Sequence, residues 1–165
     1  MLLGILSDTH DRYAITGRAV RALLARKAEF FIHCGDVTTP RLLDPLAGLR
    51  AAFVFGNCDW DRQALASYAE SVGVACHATF ADLELGGKSI AVTHGDDHGK
   101  LEDAIESGRY DYVFHGHTHV RRDQRAGRTR VINPGALHRA TTKTVALLDT
   151  DTDALEFLTI EPTSE

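Results

Sequence analysis

"LLGILSDTHD", residues 2–11, runs from a short apolar stretch straight into acidic and imidazole side chains. Such a run reads as a buried strand, with polar residues where the strand emerges at its carboxyl end. Residues 13–27 then read as a helix with Val20, Leu23, Leu24 and Ala28 near one face, and "EFFIH" (29–33) as a second strand. Strand, helix and strand in that order imply parallel pairing through a right-handed crossover. The pattern continues outward with a short proline-bounded helix around 40–48, a strand at "AAFVF" (51–55), and a helix over 60–71 that ends near Gly73.

Further along, the rhythm changes. "DLELGGKSIAVTHG" (82–95) predicts a hairpin turning at Gly86-Gly87, residues 100–107 one more helix, and "DYVFHG" (111–116) a strand. "VRRDQRAGRTRVIN" (120–133) reads as a hairpin around Ala126-Gly127, and "TVALLDTDTDALEFLTI" (144–160) as another around Asp151–Asp153. A parallel first half and an antiparallel second half predict two sheets packed together, with helices outside.

The chain has 165 residues, 44% hydrophobic and 25% charged, which suits one globular domain spanning 1–165. Its formal charge of −5 argues against a dedicated nucleic-acid or anionic-membrane binder. No stretch is long enough to span a bilayer, and "MLLGIL" is too short and uncharged for a signal peptide. Three cysteines without metal-type spacing predict reduced thiols and a cytoplasmic protein.

The polar residues fall at the strand ends. "LLGIL" leads to Asp8 and His10, "FFIHC" to Asp36, "AAFVF" to Asn57, Cys58 and Asp59, "SIAVT" to His94, and "YDYVF" to "HGHTH" (115–119). In that last segment Gly116 interrupts the strand pattern and indicates a bend or a close backbone approach. Ligand crevices of open α/β sheets lie beyond the carboxyl ends of the strands, so these tips converge on one polar site. Imidazoles, carboxylates and an amide oxygen form a mixed N/O ligand field, suited to Mn, Fe, Ni or Zn. The candidates outnumber what one ion needs if water is also to bind. Two ions sharing a carboxylate fit better, and such sites clamp the attacking and leaving oxygens of a displacement at phosphorus. Asp36, central in the series at a Gly-Asp turn, is the natural bridge.

In order, these motifs are D-x-H, G-D, G-N-x-D, H-G and G-H-x-H, followed by "INPGA" (132–136). The series resembles the calcineurin-like metallophosphoesterase superfamily, and the length without a cap domain resembles its small bacterial and archaeal phosphodiesterase subgroup. The resemblance implies an α/β (α+β) fold, a four-layer α-β-β-α sandwich of two mixed β-sheets flanked by helices. It implies two divalent ions, manganese first and nickel, iron or zinc as alternatives. Asp8, His10 and His119 would hold one ion, Asn57, His94 and His117 the other, with Asp36 between them. The implied reaction is hydrolysis of a small phosphodiester by in-line attack of a metal-bridging hydroxide, with Asn57, Cys58, Asp59 and His94 as the catalytic set, Asp59 orienting residue 58 or a metal ligand from behind. Cys58 stands where most of the superfamily has histidine, as in phosphodiester-preferring members of the subgroup. Relatives form dimers or tetramers, so a homo-oligomer is also implied; stable nucleic-acid or membrane binding is not.

Simpler roles compete residue by residue. Asp8, Thr9 and Asp11 suit a cap on the helix starting near Tyr13, and Gly56-Asn57 suits a turn. His33, His77, His98 and His138 read as structural or surface histidines and His115 as a strand terminator, with Asp96 and His98 as candidate supports for a ligand. Cys34 and Cys76 read as buried small side chains, and the five arginines of 121–130 as a solvated hairpin. Competing functions are a phosphomonoesterase, a nuclease, and a partner-binding scaffold like the retromer subunit that shares this fold.

Overall fold

A computed structural model of the chain describes residues 1–161. Strands β1 (Leu2–Leu6), β2 (Phe30–His33), β3 (Ala51–Phe53) and β4 (Val74–Cys76) pair in parallel in that order. Helix α1 (Tyr13–Ala25), a 3-10 helix (Pro40–Leu46) and helix α2 (Arg62–Val72) form their connections. The final hairpin, β10 (Thr144–Asp149) and β11 (Leu155–Thr159), joins antiparallel beside β1, giving the order β11-β10-β1-β2-β3-β4. The second sheet comprises β5 (Phe80–Leu85), β6 (Lys88–Thr93), β7 (Tyr112–Phe114), β8 (Arg122–Ala126) and β9 (Thr129–Asn133) in the order β5-β6-β7-β9-β8, with helix α3 (His98–Glu106) between β6 and β7.

Period-two alternation sorts the strand side chains into layers. Leu3, Ile5, Ile32 and Val54 face Ile90, Val92, Phe114 and Ile132 across the space between the sheets. Leu6, Phe31 and Phe53 point outward to α1, the 3-10 helix and α2, while Ala91, Val113 and Val131 pack on α3. The result is a four-layer α-β-β-α sandwich. Burying one such leucine, isoleucine or phenylalanine contributes about 1.5–3 kcal/mol, so the paired sheets are a stiff base for whatever their edges carry. No helix among the described residues is long and apolar enough to cross a membrane.

The differences from the sequence reading are local. The buried face of α1 is Ile15, Thr16, Ala19, Val20 and Leu23, while Leu24 lies outside and is 41% exposed. The helix stops at Ala25, and the chain turns back through Lys27 at φ 64°. Pro45, which cannot donate to an α-helical ladder, leaves the segment after Pro40 as a 3-10 turn. The short strand β4 went unread because its three residues carry no period. Gly73 closes α2 in the left-handed conformation at φ 76°, a backbone state glycine adopts without steric cost.

Candidate metal centre

The tips of β1, β2, β3, β6 and β7 meet at one edge of the sandwich. Backbone bonds tie neighbouring tips together: Asp8 N–H donates to Gly35 (3.0 Å), His10 N–H to Asp36 (3.0 Å) and Gly116 N–H to His94 (2.9 Å). Two further bonds cross between the sheets, from His117 N–H to Asp8 Oδ2 (3.0 Å) and from His94 Nδ1 to the Cys34 carbonyl (2.7 Å). Gly116 fits this junction because it has no side chain; a Cβ there would lie 1.9 Å from Ser7 Oγ and 2.5 Å from Asp8 Oδ2. Gly56 is similar, its missing Cβ falling 2.1 Å from Asp36 Oδ1.

The backbone is strained where the candidate ligands sit. Asp8, His10, Asp36, His117 and His119 all have positive φ, between 38° and 68°. Each costs roughly 1–3 kcal/mol unless its surroundings hold it. Asp8 and Asp11 do not cap α1, whose first turn receives no side-chain hydrogen bond. Asp8 instead accepts from Ser7 Oγ (2.6 Å), and Asp11 from Thr38 Oγ1 (2.8 Å).

Asp36 Oδ2 lies between two imidazoles, 3.4 Å from His10 Nε2 and 3.3 Å from His94 Nε2. Asp8 Oδ1 stands 3.1 Å from His119 Nε2 and 3.9 Å from His94 Nε2. Yet Asp8 Oδ1, His10 Nε2 and His94 Nε2 are buried without an aligned hydrogen-bond partner. Buried polar atoms are nearly always satisfied, so three orphans converging on one spot call for an ion. Donor atoms lie within 4.8 Å of one another in three sets: Asp8, His10 and His119; Asp8, Asp36 and His94; and His10, Asp36 and Cys58. His117 falls outside these sets, and its Nδ1 donates to the Asn57 amide oxygen at 3.1 Å.

Electrostatics and tautomers follow from the neighbours. Burial favours neutral His94, but Asp36 and Asp8 outweigh it and raise the imidazole to about 9 in the metal-free protein. With Nδ1 donating to the Cys34 carbonyl, Nε2 is the atom turned to the centre. Burial also opposes charge on Asp36, yet His94 and the Cys58 N–H (2.8 Å) hold it down to about 2. His119 is raised, chiefly by Asp8, whereas burial lowers His10. Burial, with Asp36 beside it, pushes the Cys58 thiol up to about 11.

Asp59 is not at the reacting position. Its carboxylate accepts the backbone N–H groups of Gly56 (2.7 Å), Asp36 (3.0 Å) and Thr38 (2.6 Å), so it is a positioning residue that fixes the Asp36 loop. His33 is structural: Gly35 N–H donates to its Nδ1 (3.1 Å), leaving Nε2 to donate to Thr9 Oγ1 (3.0 Å). Beyond the end of β7, His115 donates to Gly116 O (3.1 Å) and faces Arg122. Asn133 of "INPGA" donates to Gly116 O (2.9 Å) and Thr118 Oγ1 (3.1 Å), clamping the histidine loop. The hairpin arginines serve the scaffold, as in Arg130 with Asp123 and Asp153, Arg125 with Asp153, and Arg128 with Asp111. Asp96 and His98 are exposed, and the neighbouring Asp97 caps α3.

A cleft of about 590 Å³ opens over the centre. Trp60, His138 and Arg139 line it beside the candidate ligands. The sequence reading missed all three, and took His138 for a structural or surface residue. The His138 ring lies tilted against that of His10, centroids 4.3 Å apart, and accepts from Arg12 Nε at 3.3 Å. The available signal was its position just after the "INPGA" clamp.

A family profile for the calcineurin-like phosphoesterase superfamily domain matches residues 1–153. The chain is 33% identical over 156 residues to the phosphodiesterase MJ0936 of Methanocaldococcus jannaschii, covering 92% of this chain and 94% of that protein. A structure described as a novel archaeal phosphodiesterase superposes with a TM-score of 0.91 at 29% identity, covering 97% of this chain and all (100%) of the other. Vps29 of Entamoeba histolytica, solved with zinc, gives a TM-score of 0.69 at 18% identity, covering 97% and 98% of the two chains, a likeness of fold alone.

Proposed function

The chain belongs to the calcineurin-like phosphoesterase superfamily, and on that premise we propose that it is a dinuclear-metal phosphodiesterase acting on small phosphodiesters. The observation that carries this reading is the convergence of Asp8 Oδ1, His10 Nε2 and His94 Nε2, all buried and without an aligned hydrogen bond, around Asp36. The residues fit the group: Asp8, His10 and His119 would hold one ion, Asn57, His94 and His117 the other, and Asp36 both. When bound, the ions supply Lewis acidity toward the phosphoryl oxygens and an activated water for in-line attack.

The chain's own residues supply the precision. Asp59 locks the Asp36 loop, Cys34 fixes the His94 tautomer, and Ser7 and the His117 N–H aim Asp8. Such outer partners typically change metal affinity or activity by about 10–100-fold. The mixed N/O donor set suits manganese, iron, nickel or zinc, and manganese is placed first on the family resemblance alone. The cleft has the size of a small-molecule site, and the acidic chain suits neither stable nucleic-acid nor membrane binding. Cytoplasmic location and a homo-oligomeric state complete the proposal. The donor atoms of Asp8, His10, Asp36, His94 and His119 gathered at one centre favour catalysis over a scaffold role.

The test is elemental analysis of protein purified without chelator, then chelation and metal add-back, with bis(p-nitrophenyl) phosphate and p-nitrophenyl phosphate as paired substrates. The proposal expects two ions per chain, loss and recovery of activity, and faster diester hydrolysis. A metal-free protein that retains diesterase activity refutes it.

A further inference from the structure

Trp60 is 85% exposed, more than Val120 at 65%, Leu24 at 41% or Tyr13 at 38%, whereas Phe31, Phe53 and Phe114 are at 1% or less. Elsewhere arginines cover aromatic rings, as in Arg41 over Tyr13, Arg50 over Phe30 and Arg62 over Phe55. Among the described residues nothing stacks on the Trp60 indole, which lines the cleft over the candidate metal centre two residues from Cys58.

The backbone beneath this ring is locked. Asp59 accepts three backbone N–H bonds, Arg62 Nε donates to the Asp59 carbonyl (3.3 Å), and Asp61 caps α2 through the Ala64 N–H (3.0 Å). An exposed aromatic side chain on an immobilised loop can receive a planar group without loop reordering, leaving only the ring's own rotation to be fixed on binding. The cleft, about 590 Å³, falls within the range of small-molecule sites. An aromatic face tolerates any flat ring, because stacking needs no particular hydrogen-bond pattern.

We propose that Trp60 is the specificity platform of the site, and that the preferred substrates are phosphodiesters bearing a planar aromatic group, a nucleobase or a simple aryl ring, which stacks on it. This rests on the phosphodiesterase reading above and narrows it to a substrate class.

The chain has one tryptophan, so its fluorescence reports on this position alone. Emission excited near 295 nm would be followed while titrating metal-loaded protein with adenosine 5′-monophosphate, phenyl phosphate or methyl phosphate. Quenching by the first two and not the third is expected; quenching by adenosine monophosphate alone narrows the class to nucleosides. Inhibition of diester hydrolysis by the same compounds is the second measurement. Trp60→Ala should raise the inhibition constants of the aromatic phosphates roughly tenfold, as expected for a lost stack, and leave that of methyl phosphate unchanged. Trp60→Phe should keep most of the preference, and circular dichroism would verify that both variants fold. Equal response to methyl and aromatic phosphates, or an unchanged preference in Trp60→Ala, overturns the inference while leaving phosphodiesterase activity intact. Wild-type protein that hydrolyses no diester overturns the underlying function instead, and the fluorescence titration still decides whether the ring binds aromatics.

Discussion

Metal-stripped protein should bind divalent cations more tightly as pH rises from about 6 to about 9, and His94 sets the size of the effect. In the metal-free state burial works against charge on this imidazole, but Asp36 at 3.3 Å and Asp8 at 3.9 Å raise it to about 9. A cation can use Nε2 only after the proton leaves. At pH 7, about two units below that value, apparent affinity is weakened on the order of 100-fold, or about 3 kcal/mol. Each unit of pH toward about 9 should recover about tenfold. His119, raised chiefly by Asp8, steepens the dependence, whereas His10, lowered by burial, adds little. Calorimetric titration of Mn²⁺ at three pH values, each in two buffers of different ionisation heat, measures both affinity and protons released. Affinity flat across two units of pH, with no proton release near neutrality, would refute the assignment of His94.

The same linkage has opposite signs in the two states of the protein. The raised His94 pKa stabilises the metal-free fold fully below the unfolded value of 6.5, and this contribution is lost as pH rises through about 9. Asp36, lowered from 3.8 to about 2, reports the same contact from the other side, so its share counts once; it is present above 3.8 and lost as pH falls through about 2. The His94 contribution is about 3 kcal/mol, worth roughly 6–12 °C in Tm for a chain of this size. Metal-free Tm should therefore decline from about pH 6.5 to about 9, while metal-loaded protein gains stability from tighter binding. Melting curves of the two forms should diverge; parallel curves would contradict the argument.

Asp36→Asn keeps the shape of the bridge but removes the charge shared by His10 and His94, so activity should fall more than roughly 100-fold, beyond the usual effect of an outer partner. Excess metal should rescue His119→Ala more readily, and the reverse order in a metal-titrated assay would exclude Asp36 as the bridge. Asp59→Ala leaves the Asp36, Gly56 and Thr38 N–H groups unpaired beneath a side chain that is 2% exposed. It should cost about 3 kcal/mol or more by denaturant unfolding, and a loss under 1 kcal/mol would show the loop is held otherwise. For Cys58→His, an imidazole acid should selectively speed diesters with basic leaving groups and flatten the dependence of kcat/KM on leaving-group pKa. Parallel lines for the two proteins would show that position 58 does not protonate the leaving group.

What could be read in the sequence was whatever depends on period and order. Short apolar runs each closed by Asp, Asn or His announced both the parallel strands and the site at their carboxyl ends, because a sheet buried on both faces can place polar groups only at its edges. Gly86-Gly87 marked its hairpin for an equally local reason, being two positions of positive φ. The unreadable parts depend on partners far away in the chain. Asp59 in "GNCD" reads as a support for residue 58 or a metal ligand, but only the folded backbone shows that the groups it holds are the N–H groups of Gly56, Asp36 and Thr38. His138 carries no motif, and it reaches the cleft because Asn133 fastens the preceding turn to Gly116, seventeen residues back in sequence. Leu24 looks like a core residue by composition, yet α1 rotates it outward because Ile15, Ala19 and Leu23 already fill the stripe facing the sheet. Trp60 is the opposite case. Composition alone would bury it, and the loop that Asp59 and Arg62 hold rigid places it in the lining of the cleft, where no ring or guanidinium among the described residues covers the indole.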